Sequence, residues 1–88
     1  MSYVYSELKP RLFTEEGSVL FTAIRDRVKA LCRQAGAVSM GKAISGSCGD
    51  SWLMLACVDR LVELGELREV TDPDRVRGQD RIFVERVG

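Results

Sequence analysis

The chain contains no histidine. That removes the side chain most often used as a general base near neutral pH, and half of the usual zinc ligand set. Its three cysteines, Cys32, Cys48 and Cys57, are odd in number, widely spaced and without a CxxC pair. Neither a zinc knuckle nor a disulfide framework can be built from them. They are expected to be reduced thiols, Cys32 and Cys57 packing as small apolar residues and Cys48 lying in a turn open to oxidation. Long apolar runs are missing too. The longest covers residues 52–58, too short to span a bilayer. The opening MSYVYSELKPR lacks the basic-then-apolar pattern of a secretory leader, so a cytoplasmic location and no membrane partner are expected.

There is no excess of charge of either sign. Thirteen Lys and Arg balance thirteen Asp and Glu, which removes the global electrostatic argument for nucleic-acid binding. By segment, residues 1–35 carry a net of +2, and residues 36–65 and 66–88 carry −1 each. The 88 residues, 45% of them hydrophobic and 30% charged, fit one small globular domain with a modest core.

The stretch SGSCGDSW, residues 45–52, contains the Gly-Asp-Ser of a trypsin-like nucleophile loop. A serine nucleophile needs a base, and no histidine is present. Lys42 is the remaining candidate, and it lies on a separate two-turn element. Trp52 and Leu53 come after Ser51 where an oxyanion loop would carry glycines. The same residues are accounted for by a turn between helices, with Gly46 and Gly49 permitting the reversal and Asp50 or Ser51 capping the next helix. GKAISG, residues 41–46, lacks the spacing of a phosphate loop. Asp72, Asp74 and Asp80 interleave with Arg75, Arg77 and Arg81 and read as a self-neutralising charge run, not a metal site. The expectation is a non-enzymatic chain with no catalytic residue, no metal and no cofactor.

Along the chain, residues 1–13 form an arm. Tyr3, Val4, Tyr5, Leu8, Leu12 and Phe13 make it too apolar for a loose tail, so it packs on the body or on a second copy. The remainder, 14–88, is one domain. Thr14 is a helix cap followed by Glu15 and Glu16, which suit the helix dipole. Apolar residues at 20, 21, 24, 28, 31, 32 and 35 give the spacing of a helix over 15–35, stopped by Gly36. Residues 37–38 read as a link, and Ser39 caps a short helix over 40–45. A third helix begins near Asp50 and runs to Leu64, with Gly65 after it. Leu67 to Thr71 and Arg81 to Val87 read as strands of a hairpin, joined by DPDRVRGQD.

This order resembles the winged-helix (winged helix-turn-helix) family as found in small bacterial proteins. The resemblance covers residues 39–87, and its most specific part is VDRLVELGELREV, residues 58–70. It implies an α+β fold of three helices followed by a two-stranded wing. It also implies DNA binding and transcription regulation, with the third helix in the major groove.

At about 100° per residue, Met54, Cys57, Val58, Leu61 and Leu64 share the core side of that helix, and Trp52, Ala56, Asp59 and Glu63 the opposite side, flanked by Leu53 and Arg60. Between Asp50 and Leu64 one basic residue meets three acidic ones, and the first two turns hold none of the usual base readers. Two partners therefore remain open. For DNA, the candidate contacts are Arg75, Arg77 and Arg81 of the wing with Lys42 and Arg60; the wing arginines either enter a minor groove or pair with Asp72, Asp74, Asp80 and Glu69. For protein, the candidate interface is Trp52, Leu53 and Ala56 with Tyr3 and Tyr5, unless Trp52 instead folds over Ile44 or the arm. The aromatic arm and the apolar outer side of the third helix together suggest a homodimer.

Overall fold

The computed structural model describes residues 3–45, 51–72 and 74–86. The turn at 46–49 with Cys48, the cap at Asp50, Pro73 and the end of the last strand at Val87 lie outside them. Among the described residues the chain folds as a small α+β unit, mostly helical, with a three-stranded antiparallel sheet.

Helix α1 spans Tyr5–Leu8 and leads through a 3-10 turn, Lys9–Phe13, into the long helix α2, Glu15–Ala35. Thr14 caps α2 by accepting a hydrogen bond from the Gly17 amide at 3.1 Å, as its position ahead of two glutamates leads one to expect. Gly36 closes the helix at φ 82°, in the left-handed region. Gly17 has a second role. A Cβ there would sit 1.9 Å from the Arg11 carbonyl oxygen, so only glycine lets the 3-10 turn fold back onto the first turn of α2.

β1, Val38–Ser39, leads into α3, Met40–Ile44, which Ser39 caps by accepting from the Lys42 amide at 3.3 Å. α4 comes next, over Ser51–Glu63. Its end is closed by Glu66 N–H donating to the Leu61 carbonyl (2.9 Å) and Gly65 N–H to the Val62 carbonyl (3.0 Å), with Gly65 at φ 79°. β2, Leu67–Glu69, and β3, Ile82–Glu85, complete the sheet in the order β1-β3-β2.

Two expectations are corrected. Among the described residues there are four α-helices, because the arm contains α1. And residues 38–39 are an edge strand paired with β3, Val38 opposite Phe83 and Ser39 opposite Ile82. Two residues are too few to show alternation, so this strand was invisible to periodicity. The hairpin strands are also shorter than expected. Beyond Glu69 the ladder continues with Val70 N–H donating to the Ile82 carbonyl (2.8 Å). Next, Ile82 N–H donates to the Thr71 hydroxyl (3.2 Å). A side chain has replaced the backbone rung there, and the regular ladder ends.

The core is one cluster. Ile24, Val28 and Cys32 of α2, Met40 and Ala43 of α3, and Leu67 and Phe83 of the sheet surround α4. Each fully buried large apolar side chain contributes about 1.5–3 kcal/mol. α4 packs against α1, the first 3-10 turn, α2, α3 and β2, so it is the central helix. Leu53, Met54, Ala56, Cys57, Val58 and Leu61 are all buried on it.

Candidate interaction surface

The outward side of α4 carries Asp59 and Glu63, one turn apart. The Tyr3 hydroxyl donates to Asp59 Oδ2 at 2.5 Å, and the Arg81 guanidinium donates to Asp59 Oδ1 at 2.8 Å. Arg81 also bonds Glu69 through Nη2 (2.9 Å) and Nε (3.1 Å), and its guanidinium lies 5.2 Å over the Phe83 ring. The side chains of Arg81, Asp59 and Glu69 are only 18%, 15% and 14% exposed. Burial alone would lower the Arg81 pKa, but its bonds to Glu69 and Asp59 outweigh that and hold it firmly charged. Glu69 in turn is held below the usual carboxylate range, chiefly by Arg81 and despite its burial.

One turn on, Glu63 accepts from the Tyr5 hydroxyl (3.0 Å), Lys9 Nζ (3.0 Å) and Arg60 Nη1 (2.5 Å). Lys9 first and Arg60 next draw its pKa down to about 2. Burial and then the bond to Glu63 push Tyr5 up to about 12, and burial and then the bond to Asp59 push Tyr3 up further. The N-terminal segment therefore lies along the outward side of α4 and fills it.

This arrangement revises most of the expected site. Arg81 is turned inward and held by both Asp59 and Glu69, with 18% of its side chain exposed. Arg60 is folded against Glu63 and stacks 5.4 Å over the Phe13 ring. Leu53 and Ala56 are 1% and 0% exposed and form no interface. The helical wheel assigned Ala56 to the outer side because it could not show that the arm covers that side. Trp52 is half-buried and packs on the core, as do Tyr3 and Tyr5. Leu64, expected in the core, lies just past α4 and is 47% exposed. Of the expected basic contacts, Arg75, Arg77 and Lys42 are exposed, the Arg75 side chain 86% so. Arg75 reaches Asp72 at 3.8 Å, and the Lys42 carbonyl accepts from Arg27 Nε at 3.2 Å. Ser51 is exposed at the start of α4. The thiols Cys32 and Cys57 are buried, and burial raises the Cys57 pKa to about 11, which leaves it unreactive.

The apolar surface that is open lies elsewhere. Phe13 is 65% exposed and Val19 69%. Leu12, Phe13, Phe21 and Leu64, with the Arg60 stem, line a hollow of about 250 Å³. A second, shallow one of about 450 Å³ continues along α2 over Val19 and Ala23. Ser18 and Thr22 border both hollows. Their hydroxyls are turned to the backbone, Ser18 Oγ to the Leu12 carbonyl (3.4 Å) and Thr22 Oγ1 to the Ser18 carbonyl (3.0 Å), so the strip between the hollows is less polar than its sequence. Sequence reasoning passed over this face, although Val19 stands off the apolar stripe of α2 and is itself the signal.

Among the described residues no three Cys, Asp or Glu side chains come together as metal ligands, and no helix is long and apolar enough to cross a membrane. No family model, no curated protein and no solved structure matches the chain.

Proposed function

We propose that the chain is a non-enzymatic protein-interaction module, built on a winged-helix-like arrangement whose reading surface has been closed. The observation that carries this is the covered outward side of α4, where Tyr3, Tyr5 and Lys9 occupy Asp59 and Glu63 while Arg81 is locked between Asp59 and Glu69. A major-groove helix needs that side open and basic. The wing-like order of β2, a loop and β3 supports the resemblance, and the exposed Phe13, Val19 and Leu64 supply an anchor of the kind that protein interfaces use.

Two measurements test this. A labelled mixed-sequence duplex titrated at about 50 and 200 mM salt is expected to show no tight binding; nanomolar affinity falling steeply with salt would overturn the reading in favour of Arg75, Arg77 and Lys42. The apolar dye anilinonaphthalenesulfonate is expected to brighten on the folded protein, and Val19→Asp is expected to abolish the response without changing the circular dichroism. A folded protein that leaves the dye dark has no accessible docking face.

A further inference from the structure

The occupant of the open face, we infer, is a second copy of the same chain, paired through an antiparallel α2. The inference rests on the interaction-module reading and names its partner. On α2, Glu16, Val19, Ala23, Asp26, Ala30 and Arg33 fall within roughly 100° of arc at 100° per residue, and all six are exposed. The ends of this stripe are oppositely charged. Glu15 and Glu16 stand in the first turn and Arg33 in the last, each beside the helix-dipole end that favours it. The Arg33 side chain is 70% exposed and reaches Glu85 only at 3.7 Å.

A stripe acidic at one end and basic at the other complements itself when a copy is turned through a two-fold axis. With the axis midway between Ala23 and Asp26, Glu16 meets Arg33 of the second copy, and Val19 meets Ala30, twice over by symmetry. The alanines allow the two backbones to approach to about 8 Å. Asp26, near the axis, brings its own counter-ion, since Arg25 Nε lies 3.5 Å from its carboxylate. A face about 30 Å long and 10 Å wide is small beside the roughly 800 Å² per partner of a standard interface. The dimer is therefore weak and reversible, and charge pairing at its ends makes it sensitive to salt.

Sedimentation equilibrium of the full chain from about 10 to several hundred micromolar, in about 50 mM salt, is expected to fit a monomer–dimer equilibrium. Val19→Asp is expected to hold the protein monomeric with an unchanged melting transition. Glu16→Arg and Arg33→Glu are each expected to weaken self-association roughly 5- to 30-fold, given two exposed pairs turned from attraction to repulsion. The double variant, and an equimolar mixture of the two single variants, are expected to recover it, because each restores opposite charges across the axis. A merely structural defect would accumulate in the double variant instead, and that result overturns the proposed pairing. A single-chain mass throughout, with a dye response that Val19→Asp abolishes, overturns the second copy as occupant and leaves the docking face standing. A single-chain mass with no dye response overturns both.

Discussion

Two charge clusters sit one helical turn apart on α4 and differ chiefly in depth. Around Asp59, the ion-pairing side chains are 14% to 18% exposed; around Glu63 they are 24% to 39% exposed. The chemistry is the same in both, a carboxylate taking a tyrosine hydroxyl and a guanidinium. At the surface, water competes for each group and an ion pair is worth little. At depth, the pair offsets a desolvation cost of several kcal/mol per ion, so the penalty for breaking it exceeds the gain from having made it. The Asp59 cluster therefore ties the arm, α4 and the hairpin together, while the Glu63 cluster trims the outer edge of the same contact.

Arg81→Met should separate the two clusters most sharply. It leaves Asp59 and Glu69 facing each other without a cation, and a loss of about 2–3 kcal/mol is expected from urea unfolding, less than for a fully buried pair. For a domain of this size that lowers the melting temperature by roughly 10 °C or more. A loss under about 1 kcal/mol would show that the cluster is wetter than its exposures imply.

Next in size is the tyrosine pair. Tyr3→Phe is expected to cost about 1–2 kcal/mol, since it takes a hydrogen bond from a half-buried carboxylate. Alkaline pH acts on the same contact. Tyr5 titrates near 12 in the folded chain against 10 when unfolded, and Tyr3 is displaced in the same direction. Their stabilisation is complete below pH 10 and is lost as the pH rises above it, through 12 for Tyr5 and later for Tyr3. Ultraviolet tyrosinate absorbance should lag behind that of a free tyrosine, and Tyr3→Phe combined with Tyr5→Phe should remove the alkaline loss of stability.

The smallest effect belongs to Glu63. Its pKa of about 2 means that its contribution is present above about pH 4.5 and disappears as the pH falls from there towards 2. Glu63→Gln should flatten the acid limb of the stability profile. It should cost less than Tyr3→Phe, and about 1 M salt should erase the difference from wild type. The same salt should leave the Arg81→Met penalty largely in place.

Much of the fold was legible in the residues. Thr14, the glutamates after it and Gly36 bracket α2, because capping and dipole effects are local and act over one turn. Ser39 and Gly65 mark element ends for the same reason. The site was less legible, since it depends on contacts between residues far apart in sequence. Asp59 and Glu63 looked like an exposed acidic face, and only the fold shows tyrosines fifty-six and fifty-eight positions away lying on them. The residues leave Arg81 either a third wing arginine or a partner of Glu69, and in the fold it pairs with Glu69 and also with Asp59. Its sequence neighbours Arg75 and Arg77 are indeed exposed, and nothing local distinguishes the one that turns inward. Gly17 gave no signal at all, because its requirement comes from a carbonyl six residues earlier folding back.

The fifty-six-residue separation of Tyr3 from Asp59 also bears on the order of folding. A ribosome releases the tyrosines well before it makes their acceptors, and Arg81, which holds Asp59 from the other side, comes later still. Contacts closed over such distances are slow to form, because the loop must close before the bonds reward it. Until the last strand joins the sheet, α4 offers an uncovered carboxylate face and the arm offers uncovered aromatic rings. During that interval both surfaces are open to another chain, and docking the arm on α4 closes them together.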